Sequence, residues 1–145
     1  PCSESIPMSG APTSRVVAAL GAAALVVGCR AGGDTRSADE TRSLLRQAAA
    51  SAPEQVSQGK ALFEQNCSVC HGPVADGTEQ GPPLAHKIYE PSHHADAAFM
   101  LAVKLGVRSH HWRFGNMDPL PHVTDAMTGD ITAYVRWLQR EVGIH

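Results

Sequence analysis

Cys67-Ser68-Val69-Cys70-His71 is the stretch of the chain that decides its fold. Two thiols three positions apart lie on one helical turn and can reach the two vinyl groups along one edge of a haem. The residue after them then turns under the iron, so the string carries the spacing of covalent haem attachment. Competing readings need company that the sequence lacks. A thioredoxin-like CxxC asks for a βαβ pattern around it, and a zinc site asks for a second ligand pair at finger spacing. The other two of the 4 cysteines, Cys2 and Cys29, lie far upstream, which does not suit a disulfide scaffold. One covalent haem is the expected cofactor, bound through Cys67 and Cys70 with His71 on the iron.

A low-spin iron needs a sixth ligand. The candidates are Met100, Met117, Met127 and the seven histidines other than His71. Met117 is preferred because it sits in Gly115-Asn116-Met117-Asp118-Pro119-Leu120-Pro121, a loop opened by a glycine and stiffened by two prolines. Met100 falls inside an apolar helical run and Met127 in the opening turns of the last helix, where methionine commonly fills core gaps. A His/Met pair raises the reduction potential relative to two histidines, because a soft thioether favours ferrous iron.

The surrounding pattern is helical. Over 92–106, Phe99, Met100 and Val103 share one face, with Ser92 as the expected N-cap and Gly106 just past the end. Over 125–142, Ile131, Tyr134, Val135 and Leu138 form a stripe with Trp137 beside it; Thr124 can cap the start and Gly143 follows the end. No run of alternating residues argues for a strand. The expected fold is all-α, three to five helices wrapped around one haem. Aromatic residues make up only 5% of the chain, and the porphyrin then serves as the largest core group.

These residues resemble a class I c-type cytochrome with one haem, over 54–142. The segment Glu54–Asn66 leads straight into the CxxCH motif, as in that family. Gly81-Pro82-Pro83-Leu84 is similar to the family's Gly-Pro-x-Leu. The resemblance implies that the Pro82 carbonyl accepts the His71 ring N–H and that Leu84 packs on the haem. It also implies that an aromatic in Asp130-Ile131-Thr132-Ala133-Tyr134-Val135 crosses Gly59 and Phe63, small Gly59 allowing the close approach. Met117-Asp118-Pro119 departs from the Met-Pro of many relatives.

Residues 1–28 read as a leader. Arg15 precedes the apolar run Val16–Val27, too short for a bilayer span but fitting a signal-peptide core. Val26-Val27-Gly28-Cys29 resembles a bacterial lipobox, which implies cleavage before Cys29 and a lipid on its sulfur. Met8 is a candidate start, which would place Cys2 outside the natural product. Residues 29–53 read as a flexible tether with weak helical tendency over 38–50, and 54–145 as the haem domain. The expected location is periplasmic, lipid-anchored to a bacterial membrane.

With 12 Lys+Arg against 14 Asp+Glu, the net charge of −2 argues against a nucleic-acid partner. No nucleophile dyad or nucleotide loop is evident, so the expected function is one-electron transfer between redox partner proteins rather than an enzymatic reaction. The alternatives are a subunit of a larger reductase or dehydrogenase, and a peroxidase or gas sensor in which Met117 is displaceable. All 8 histidines lie from His71 onward. His110-His111-Trp112-Arg113-Phe114 reads as a tight corner with Trp112 and Phe114 packed in and both histidines partly solvated. Metal binding at His110 or His111 is the less favoured reading, and a propionate contact stays open. Trp112 and Arg113 are candidates for the haem edge or a propionate. His93 and His94 are expected in the first turn of the helix over 92–106, solvated. His86, His122 and His145 receive no role.

Overall fold

The computed structural model describes residues 36–145. The expected leader and Cys29 lie outside these residues. Among the described residues five α-helices follow one another: α1 (Ala38–Ala50), α2 (Glu54–Asn66), α3 (Ser68–His71), α4 (Asp96–Leu105) and α5 (Asp125–Glu141). A 3-10 turn covers Lys87–Tyr89. Among the described residues no strand forms; Val107 and Met117 make an isolated antiparallel bridge. This is the all-α arrangement expected, and no described helix is long and apolar enough to cross a membrane.

The centre is the crossing of α2 on α5. On α2, Val56, Gly59 and Phe63 are buried at helical spacing. On α5, the Thr124 hydroxyl caps the start by accepting the Met127 N–H at 3.2 Å, and Asp125 and Arg140 suit the two ends of the dipole. Tyr134, Val135 and Leu138 are fully buried. Phe63 and Tyr134 meet with ring centroids 5.7 Å apart, tilted at 57°. A Cβ placed on Gly59 would lie 2.7 Å from the Asp130 carbonyl carbon, so only glycine permits this approach.

Residues 38–50, expected within a flexible tether, are instead a docked helix. Ser37 caps α1 by accepting the Glu40 N–H at 3.2 Å, and Asp39 and Glu40 occupy its first turn. Leu45, Ala48 and Ala49 recur at i, i+3 and i+4 and are buried with the core that α5 supplies. Leu45 is 1% exposed, so it is a core residue and not a spacer.

α4 also starts later than expected. Its cap position is Ala95, and Ser92 lies in the preceding turn. The reason is local. The His93 and His94 N–H groups both donate to the Glu90 carbonyl, at 3.0 and 2.8 Å, which closes a separate turn before the helix begins.

Candidate functional site

The CxxCH turn is a direct continuation of α2. The Cys67 N–H still donates to Phe63 at 2.8 Å, and the His71 N–H donates to Cys67 at 2.9 Å. The Ser68 hydroxyl reaches back to the Glu64 carbonyl at 2.6 Å. Both cysteines are half-buried and unbonded to each other. Burial pushes the Cys67 thiol up to about 11, with Cys70 beside it adding to the effect.

His71 is oriented as the resemblance implied. Its Nδ1 lies 2.8 Å from the Pro82 carbonyl oxygen. A carbonyl can only accept, so Nδ1 carries the proton and Nε2 holds the lone pair. Burial lowers the His71 pKa while the Pro82 bond works against it, and the neutral imidazole is the form that binds metal.

Met117 is fixed through its backbone. Met117 N–H donates to Val107 and Val107 N–H donates to Met117, each at 2.9 Å, and Leu120 N–H donates to Val103 at 2.8 Å. These bonds staple the loop to the end of α4. The contact requires Gly106, whose φ is 75° and whose Cβ would lie 2.5 Å from the Met117 carbonyl oxygen.

Cys67, Cys70, His71 and Met117 line a single cavity of about 600 Å³. Pro82, Leu84 and Trp112 line it as well. Met100 and Met127 do not; Met127 packs against the core instead. Arg113, expected at the haem edge or a propionate, is exposed and outside the cavity wall, because the chain turns between Trp112 and Phe114. Phe114 is 40% exposed at the rim, not packed into a corner.

The cavity suits a haem on several counts. Its volume is that of a cofactor site, two thiols and an oriented imidazole stand on one wall, and a thioether is presented by another segment. The Trp112 indole N–H is buried and closes no hydrogen bond, although the Tyr89 hydroxyl lies nearby. A buried donor of this kind fits an acceptor such as a propionate. Cys67 and Cys70 would carry the two thioether bonds, and Leu84, Phe99 and Ile131 would face the porphyrin.

One organising residue escaped the sequence reading. Arg136 on α5 has a side chain only 8% exposed. Its guanidinium donates to Asp96 at 2.7 Å, to the Tyr89 carbonyl at 2.6 Å, to Gln139 at 2.7 Å and to the His94 carbonyl. It also lies 4.9 Å from the Phe99 ring centroid. It thereby ties the 89–96 segment to α5. The sequence signal was its place on the stripe Thr132, Val135, Arg136, Gln139, at i, i+3, i+4 and i+7.

The remaining histidines sort by geometry. His86 Nδ1 accepts the Ile88 N–H at 3.2 Å, and its ring stands edge-on to Trp112. His122 bonds Asn66 at 3.1 Å. His93 and His94 stack at 4.6 Å, and His110 and His111 approach to 4.2 Å. His94 is half-buried rather than solvated.

A family profile described as Cytochrome c matches residues 56–139, which is 84 of the 145 residues. No curated protein and no solved structure matches the chain. The profile spans the α2–α5 crossing, the CxxCH turn and the Met117 loop. The chain therefore belongs to the cytochrome c family of haem-carrying electron-transfer proteins, and its one CxxCH motif gives it a single, covalently attached haem c.

Proposed function

We propose that this cytochrome passes single electrons between two redox proteins with His71 and Met117 as the axial ligands of its iron. The observation that carries the reading is the pairing of an imidazole, oriented by the Pro82 carbonyl, with a backbone-stapled Met117 on one cavity. Bound there, the haem supplies the one-electron couple. The chain does the rest. Cys67 and Cys70 hold the group in place by thioether bonds. His71 offers Nε2 because Nδ1 is occupied, and Pro82 keeps that ring from turning. Met117 offers a soft sulfur that favours the reduced state. Apolar walls such as Val103 and Ile131 exclude water.

Val69, 72% exposed, and Phe114 stand at the cavity rim and give a partner protein an apolar surface to meet. The lipobox-like Val26-Val27-Gly28-Cys29 supports export and lipid attachment at Cys29 to a bacterial membrane. A lipid-labelling assay on wild type and Cys29→Ser checks that part; equal labelling refutes it.

The ligand assignment is tested with Met117→Ala in the haem-loaded protein. The long-wavelength band of sulfur–iron coordination disappears from the ferric spectrum and the reduction potential falls. A variant that keeps the band shows that another residue is the sixth ligand.

A further inference from the structure

His93, His94 and His111 each offer a ring nitrogen, and these three nitrogens all lie within 4.8 Å of one another. The rings come from two separate segments, the turn before α4 and the loop after it. They are interlocked: His93 and His94 stack 4.6 Å apart with planes 5° apart, and His111 stands edge-on to both at 5.1 Å. His110 adds a fourth imidazole, 4.2 Å from His111 and 6.0 Å from His94. We propose that this cluster is a second metal site, binding a late first-row divalent cation, Cu(II) or Zn(II), through His93, His94 and His111.

The donor set argues for that class of ion. Imidazole nitrogen suits copper, zinc and nickel, whereas magnesium and calcium want oxygen. Three protein nitrogens leave a further coordination position for water or His110. The tautomers are set for the task as well. His94 Nδ1 lies 2.7 Å from the Ile88 carbonyl, and His110 Nδ1 lies 2.9 Å from the Arg108 carbonyl. Each Nδ1 must therefore donate, which leaves Nε2 as the lone-pair nitrogen. The His94 arm is held rigidly, since the buried Arg136 guanidinium grips its carbonyl.

Metal–nitrogen bonds of about 2.0–2.1 Å put tetrahedral ligands about 3.3 Å apart. The three rings therefore close in by about 1.5 Å at most. His93 and His111 are exposed, so their rings can close that distance without displacing core residues. The site rests on Met117 and not a cluster histidine being the sixth iron ligand, since His94, His110 and His111 also line the haem cavity; the haem spectrum of His111→Ala tells a failure of that reading from a failure of the metal site.

The test is equilibrium dialysis of the full, haem-loaded chain against Cu(II) and, separately, Zn(II), followed by metal analysis. One equivalent of each ion binds, copper more tightly in keeping with the usual order of divalent affinities. Paramagnetic resonance of the Cu(II) form shows nitrogen ligation. His93→Ala and His111→Ala each weaken binding by at least the roughly 10–100-fold that a supporting partner alone is worth. His122→Ala, outside the cluster and bonded to Asn66, leaves it unchanged. The haem spectrum of each variant confirms the fold. Failure to bind one equivalent overturns the proposal. So does an affinity that the two cluster variants leave unaltered, which would place the ion on Cys2, Cys29 or elsewhere.

Discussion

Substituting Gly59 by alanine sets two effects of opposite sign against each other. In a helix interior, alanine is favoured over glycine by about 1 kcal/mol. At this position, however, the added Cβ would lie 2.7 Å from the Asp130 carbonyl carbon and 3.1 Å from the Tyr134 Cβ. Carbon atoms are comfortable at about 3.5–4.0 Å, so the two helices must separate by roughly an ångström. The obstruction is backbone, which cannot rotate aside. Overpacking of this kind costs about 1–3 kcal/mol, and the upper end applies where backbone must move. The net expectation for Gly59→Ala is a loss of about 2 kcal/mol, equivalent to roughly 8–16 °C in Tm for a domain of this size. Gly129 supplies the internal control. It lies within α5, is exposed, and a Cβ there meets nothing within 4 Å. Gly129→Ala should raise stability by up to about 1 kcal/mol. Urea unfolding of the haem-loaded proteins, followed by circular dichroism, measures both. If Gly59→Ala is as stable as wild type, the α2–α5 crossing is not as close as described.

Three further outcomes follow from the packing. Leu45→Ala should cost about 2–5 kcal/mol by urea unfolding, because Leu45 is a filled core position; a loss below about 0.5 kcal/mol would mean α1 is undocked. Arg136→Met should cost about 2–4 kcal/mol, since buried carbonyls lose their donor while Asp96, 72% exposed, turns to water. The same unfolding measurement checks it, and a neutral result would refute the guanidinium's organising role. The Tyr134 hydroxyl is buried with no hydrogen-bond partner, so Tyr134→Phe should be about 1 kcal/mol more stable at neutral pH. Burial, helped by Glu64, pushes the Tyr134 pKa up from 10.0 to about 12. The unfolded chain then ionises first, and its release of the proton lowers stability as pH rises from about 10 to 12. The fall in stability across that window should be shallower in Tyr134→Phe; equal slopes would refute the assignment.

Local signals carried much of this architecture. The CxxCH spacing, the stripe on α5, the Thr124 cap and the glycine- and proline-bounded Met117 loop each depend on residues close in the chain. Leu45, Ala48 and Ala49 carried a helical pattern too, but small alanines give a weak apolar signal and the flanking glycines and serines suggested a spacer. Arg136 carries no local sign of its partners, because a buried guanidinium is justified only by carbonyls 40 or more residues away. The histidine cluster depends on two segments that meet only after α4 is in place. Phe114 departs from its expected place for a related reason: the direction of its side chain is set by the loop's turn and not by residue type.

The docking of α1 also decides where mechanical load would enter the domain. Arg36, at the start of the described chain, donates to the Val142 carbonyl at 3.1 Å. None of residues 36–53 lines the haem cavity. A pull from anything upstream is therefore borne first by the Leu45 packing and the end of α5. A chain held at its N-terminal side would strain that seam first, at residues that are not part of the cavity walls.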